Sequence, residues 1–310
     1  MEVKMSLKFL GYLVFYLILT AFFVYIFVKE KKLAQKAELR RERWLEKIVE
    51  KFLIVDEKKI KILRKTMNYI ETIVVAGVLV VVIQRFYIGN FKIPTGSMIP
   101  TIEVGDRVFG NMIKYKFMKP ERNEIIVFEE PIQNKVLYTK RAMGLPGETV
   151  KFENQKLYIN GKAIEERNYS NLGIENQEWV VPKKGDKLKI IPAGNYTEAY
   201  KAYSLDIAKI QEELKTNSMA IEAYLPNLKF ILNGKETGKI LDFIHDKKVL
   251  SELINGNEVE VILDKDYYLA LGDNTDNSFD SRMWGFVAEN RIRGKAVFRF
   301  WPLNRIGIVK

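Results

Sequence analysis

YIETIVVAGVLVVVIQRFYIGNFKIPTGSMIPT, residues 69–101, joins a long apolar run to a serine set among a glycine and two prolines. Only Thr72–Gln84, thirteen residues, is free of charge, a length that by itself suits a buried core helix. Extended to Tyr69–Ile88, the run reaches membrane-spanning length, with Glu71 and Arg85 at the two interfaces and Tyr69, Phe86 and Tyr87 at interfacial depth. Beyond it, Pro94, Gly96 and Pro100 set a rigid, sharply turned backbone around Ser97. Such a turn can hold a hydroxyl outward and aim amides at an incoming carbonyl.

A second apolar run lies upstream. Phe9 to Val28 is twenty residues without a charge, flanked by Lys8 and Lys29, and at about 1.5 Å per residue it spans about 30 Å. A cleaved leader has a shorter apolar region and a small-residue cleavage site; here a lysine-rich run follows, so the reading is an anchor. Of the formal charge of +11, residues 29–68 supply +7, from fourteen Lys or Arg against seven Asp or Glu. Residues 89–310 carry 33 basic and 30 acidic side chains. Basic charge concentrated between two apolar runs is the pattern of a cytoplasmic loop, which with two spans places residues after 89 outside the cytoplasm; a single span would leave them inside it. That concentration also argues against a nucleic-acid partner, since no clustered basic face is left for phosphates. Residues 30–64 read as a charged helix near anionic headgroups, with Leu33, Ala37, Arg40 and Trp44 along one face.

Past residue 89 the texture becomes that of short strands. Glu124–Phe128, Val136–Met143, Thr149–Phe152 and Lys156–Ile159 are separated by turn signals, among them Pro146-Gly147 and the hairpin signal Asn160-Gly161. Strand texture returns at Val259–Leu263, Tyr267–Leu271 and Gly294–Trp301. Between them, Glu198–Lys215 and Ile240–Leu253 read as helical and define an insert on a β scaffold.

Elimination narrows the chemistry. There is no cysteine, which excludes thiolate nucleophiles, disulfides and cysteine zinc sites. The one histidine, His245, falls in the charged insert and reads as a surface residue; two histidines would be needed for an HExxH metal site. No cofactor or metal is called for. A serine without histidine needs another base, and a desolvated lysine supplies one, because burial lowers its pKa from about 10.4 toward neutrality. Lys140 in VLYTKRAMGLPGE, 136–148, is the candidate: alternation puts it on one strand face with Val136, Tyr138 and Ala142, opposite Leu137, Thr139 and Arg141. Taken alone, Lys140-Arg141 reads more readily as an ordinary solvated pair than as a catalytic base. The polar run GDNTDNSFDSR, 272–282, follows an apolar strand and lacks the glycine and glutamate of an EF-hand. It reads either as a long turn stapled by Asp280 and Arg282 or as a device that orients the amine of Lys140.

Taken together, IPTGSMIPT with the following Gly105-Asp106, KRAMGLPGE and GDNTDNSFDSR resemble the nucleophile, lysine and C-terminal boxes of the bacterial type I signal peptidases, the leader peptidases. The resemblance implies that Ser97 attacks the scissile carbonyl and Lys140 acts as general base. It implies an oxyanion hole from the Ser97 amide and the Thr95 hydroxyl, at a position where many relatives have serine. Ser278 is expected to hydrogen-bond the Lys140 amine, Asp280 and Arg282 to form a supporting ion pair, and Asp273 with Asn274 to hold the turn. Glu148 stands where relatives often have aspartate. The implied fold is membrane-anchored and mainly β: an N-terminal segment and first span at 1–28, a basic cytoplasmic loop at 29–68 and a second span at 69–88. A mostly antiparallel catalytic domain would follow at 89–160 and 258–310, with an inserted, partly helical subdomain at 161–257. The implied partners are the signal peptides of secreted preproteins and the lipid bilayer of the cytoplasmic membrane, with the protein-export machinery as a further neighbour. Two other classes share parts of this pattern: an inert, membrane-tethered β binding module, and a soluble self-cleaving repressor of the Ser-Lys type.

Overall fold

The computed structural model describes residues 7–131, 136–164, 167–169, 174, 177–192, 207–216 and 228–310. The chain divides into two compact units, residues 1–88 and 89–310.

The first unit is helical. α1 (Leu7–Val28) is apolar throughout and buries none of its residues. α2 (Glu30–Lys51) carries the charge, and of its side chains only Leu45 is buried. α3 (Glu57–Phe86) is 30 residues long. It begins ahead of the expected span at 69 because Asp56 caps it, accepting from the Lys58 amide at 2.8 Å, and no breaker intervenes. α1 and α3 are each long and apolar enough to cross a membrane. Glu71, expected to rest at an interface, finds its partners within the unit: Arg40 and Arg41 of α2 each lie 2.7 Å from its carboxylate. One turn pair further along, Arg64 meets Glu42 at 2.9 Å.

Among the described residues, the second unit has sixteen strands: β1 (Ile88–Lys92), β2 (Arg107–Asn111), β3 (Ile125–Glu129), β4 (Leu137–Gly144), β5 (Thr149–Glu153), β6 (Lys156–Ile159), β7 (Lys162–Ala163), β8 (Glu178–Val180), β9 (Lys187–Ile191), β10 (Lys229–Leu232), β11 (Lys235–Thr237), β12 (Val259–Ile262), β13 (Tyr267–Leu271), β14 (Val287–Ala288), β15 (Ile292–Trp301) and β16 (Gly307–Ile308). They form an eight-stranded sheet in the order β1-β2-β15-β3-β4-β13-β14, with β16 on β15, and two four-stranded sheets, β11-β10-β9-β12 and β7-β6-β5-β8. The pairings around β4 are antiparallel on both sides, Ile126 opposite Lys140 on β3 and Leu271 opposite Arg141 on β13. β13 reads YYLAL and is buried at every position; β3 reads IIVFE and is buried at its first four. Unbroken apolar runs of this kind are what a strand covered on both faces requires. The strand between them, β4, turns from exposed to buried at Lys140 and stays buried to Gly144.

The Asn160-Gly161 turn joins β6 to β7 with positive φ at both residues, 50° and 78°, as a two-residue hairpin turn demands. The expected domain boundary at 160 thus falls inside a hairpin whose strands share one sheet. The 161–257 stretch also holds strands that composition hid, β7 to β11. β10 and β11 turn through Asn233-Gly234, again with positive φ at both positions. The helix expected at Ile240–Leu253 is broken by Asp246: a short 3-10 turn, Leu241–His245, precedes it, and its side chain caps the helix Lys247–Ile254 by accepting from the amides of Lys248 and Val249. Of the helix expected at Glu198–Lys215, the structure has Ile207–Thr216; residues 198–206 lie outside the described residues.

Candidate active site

Ser97 sits in the turn after β1, and its neighbours explain why the turn holds. Ile93, Met98 and Ile102 are buried together with Val108, Ile125 and Val127, so the segment is pinned on both sides of the serine. The Ile93 amide donates to Asp106 O at 2.9 Å, Gly105 N to Ile93 O at 2.8 Å and Ile102 N to Met98 O at 2.9 Å. Ser97 is left 9% exposed at the edge of a cleft of about 520 Å³ whose walls include Phe91, Thr95, Val136, Tyr138 and Phe279.

Lys140 projects from β4 into the same cleft and is 4% exposed. Its Nζ donates to Ser97 Oγ at 2.6 Å and lies 5.3 Å from the centroid of the Tyr138 ring. Burial lowers the amine's pKa to about 8; Asp280 opposes this, Arg282 adds to it and Asp273 opposes it. Desolvation wins because neither carboxylate reaches the amine.

Both carboxylates are held elsewhere by arginines. Asp280 accepts from Arg282 Nε at 2.9 Å and Nη2 at 3.0 Å, a pair with both side chains fully buried. It also accepts from the Gly272 amide at 2.9 Å and caps the short helix Ser281–Trp284. Asp273 accepts from Arg141 Nε at 2.8 Å and Nη2 at 2.6 Å, and from Thr101 Oγ1 at 2.5 Å. Burial raises the pKa of Asp273, but the Arg141 and Thr101 bonds outweigh it and hold the carboxyl below the usual carboxylate range. The turn also grips the serine's own backbone. Asn274 N donates to Ser97 O at 3.0 Å, and Asn274 Nδ2 to Gly96 O at 3.0 Å. Gly272 permits this approach: a Cβ there would collide with Ser278 Oγ and the Ser97 carbonyl oxygen.

The family model described as Signal peptidase, peptidase S26, matches residues 66–301. The chain belongs to that family. It is 34% identical over 243 residues to a signal peptidase I of Buchnera aphidicola subsp. Schizaphis graminum, covering 72% of this chain and 70% of that one. It is 29% identical to the signal peptidase I of Buchnera aphidicola subsp. Baizongia pistaciae, over 78% of this chain and 79% of the relative. A signal peptidase IB of Staphylococcus aureus is 27% identical, over 78% and 92%.

Within this signal peptidase-family chain, the structure brings Ser97 and Lys140 together in the cleft, while Asp273, Asp280 and Arg282 are buried in the 272–282 turn that holds the Ser97 backbone. Thr95 is exposed on the cleft wall. Ser278 departs from expectation. Its Oγ is buried without a hydrogen-bond partner among the described residues; it packs against Gly272, while the Lys140 amine is engaged by Ser97. Glu148 ties the turn after β4, accepting from Leu145 N at 2.7 Å and pairing with Arg122. His245 lies away from this cleft, its Nε2 2.8 Å from Pro131 O. Sequence reasoning did not anticipate the Arg141–Asp273 bond or Thr101. Alternation put Arg141 on the face opposite Lys140, yet nothing local named a partner 132 residues away. Among the described residues no cluster of three or more His, Asp or Glu is placed to hold a metal ion.

Proposed function

We propose that this chain is a membrane-bound serine endopeptidase that removes signal peptides from secreted preproteins through an acyl-enzyme, with Ser97 as nucleophile and Lys140 as general base. The observation that carries the reading is the 2.6 Å contact between a buried amine and a hydroxyl at the edge of an apolar cleft. In the reacting state the amine is neutral and accepts the hydroxyl proton as Ser97 Oγ bonds to the scissile carbonyl carbon. The protonated amine then gives that proton to the leaving amine, and water, activated by the same lysine, releases the acyl group. Charge on the tetrahedral oxygen is met by the Ser97 amide and the Thr95 hydroxyl. Asp280, Arg282 and Asp273 fix the turn that positions these groups, and Ser278 packs within that turn against Gly272. The apolar lining from Ile93, Val136 and Phe279 suits small side chains before the cleaved bond.

On this reading the two apolar helices anchor the chain in the cytoplasmic membrane with the catalytic unit on the extracytoplasmic side, a topology supported by the length of the helices and by the basic segment between them. The test is cleavage of a preprotein by the full chain in detergent, compared with Ser97→Ala and Lys140→Met. Each substitution is expected to lower kcat by at least about 10³-fold. If both variants cut as fast as the parent, the dyad assignment is wrong.

A further inference from the structure

The contacts of the 272–282 turn reach beyond the three motifs, to a segment of the sequence that the resemblance leaves without a role. The Asp273 carboxylate, its side chain 1% exposed, takes a second arginine: Arg167 Nη1 donates to its Oδ1 at 2.6 Å. Two residues on, the ring of Tyr169 lies 5.4 Å from the Arg282 guanidinium carbon. One short stretch therefore touches both acid–arginine pairs of the turn. Its own position is fixed from the β5–β6 side. Tyr169 N donates to Gln155 O at 2.7 Å, Tyr169 is 2% exposed, and its ring meets Phe152 edge-on at 5.4 Å.

We infer that Arg167, placed by the buried anchor Tyr169, is a positioning residue for the Ser97–Lys140 pair. The inference rests on the dyad reading above. Arg141 alone already binds Asp273 through two nitrogens; Arg167 and Thr101 add the third and fourth donors, which saturates the carboxylate and fixes its backbone. The next residue, Asn274, holds the carbonyls of Gly96 and Ser97. The path from Arg167 to the nucleophile thus runs through one carboxylate and one peptide.

Arg167 also balances charge. Lys140 is faced by Asp280 and Arg282 from the turn, by Asp273 at its start, and by Ser97 and Tyr138 within the cleft. Asp273 in turn is faced by Arg141, Thr101 and Arg167. Without Arg167, the negative charge of Asp273 near the amine is less compensated, so Lys140 keeps its proton to higher pH.

The experiment measures kcat, KM and the pH profile of preprotein cleavage by the full chain in detergent, for the parent, Arg167→Gln, Arg167→Lys and Ser97→Ala. Arg167→Gln is expected to lower kcat about tenfold with KM changed less than about twofold. The onset of its activity should move to higher pH, and Arg167→Lys should recover part of the loss and the parent's onset. Parent-like kcat and onset in Arg167→Gln, with Ser97→Ala inactive, would overturn the inference and leave the dyad standing. A lower kcat with an unmoved onset overturns it as well, since Arg167 would then serve only to hold the fold. Full activity in Ser97→Ala removes the dyad and this inference together.

Discussion

Lys140 and Lys119 belong to the same folded unit and differ in what meets their amines. Lys119 is 69% exposed at its side chain and pairs with Asp266 at 2.5 Å; that hydrogen bond raises its pKa. Lys140 is buried, meets a hydroxyl, and falls to about 8. Of the two, Lys140 alone combines burial with no carboxylate in reach, which is what a free amine requires. Asp280 and Asp273 are the carboxylates closest to depriving Lys140 of that state, and arginines already hold both. These ion pairs are better understood as keeping acids away from the amine than as stability devices, consistent with the modest net worth of buried pairs.

Breaking the seal around Lys140 should erase the contrast. Gly272→Ala would put a methyl group into the Ser97 carbonyl and Ser278 Oγ, moving the nucleophile segment and admitting water to the amine. Because a displacement of about 1 Å at a reacting group costs about 10²-fold, kcat should fall by roughly that factor. Steady-state cleavage with circular dichroism as a check on folding tests this; a parent-like kcat in a folded Gly272→Ala chain refutes the seal.

The contrast also fixes a pH profile. The reacting form of Lys140 is the free amine, and its pKa lies near 8. The rate of cleavage should rise about tenfold per pH unit below pH 8 and level off above it, so that pH 6 is roughly a hundredfold slower than the plateau. A profile that stays flat from about pH 6 to pH 9 would show that the slot does not tune the lysine.

Part of this arrangement was legible in the sequence because its determinants are local. Two apolar runs became helices, and three short motifs converged on one cleft. The remainder depended on partners that no local pattern names. Arg141 could be assigned a strand face but not Asp273, which arrives on another strand's end. Ser278 could be placed near Lys140 by its motif, yet its Oγ lies against Gly272, without a hydrogen-bond partner among the described residues. Within 161–257, strands β10 and β11 are only four and three residues long. The Lys, Leu and Glu around them favour helix, and that composition masked Asn233-Gly234, the same turn chemistry that was readable at Asn160-Gly161.

The smallest predicted effect is the most direct comparison of the two lysines, since it needs no substrate. Lys140 has its folded pKa depressed from 10.5 to about 8, so between those values the unfolded chain binds more protons and stability rises with pH. Below about pH 8 the folded state carries the whole penalty, up to about 3 kcal/mol. Lys140→Met should therefore stabilise the chain at pH 7, with the gain shrinking as the pH approaches 10. Lys119→Met removes the exposed partner of a buried carboxylate, Asp266, which keeps the Lys184 amide at 2.8 Å, and should cost less than about 1 kcal/mol. Its pKa is raised by Asp266, so this contribution is fully present below about pH 10 and is lost only as the pH rises through the folded value. Denaturant unfolding of both variants at pH 7 and pH 10 decides it. An equal gain for Lys140→Met at both pH values would mean that methionine merely packs better there, and that the buried amine carries no desolvation penalty to be relieved.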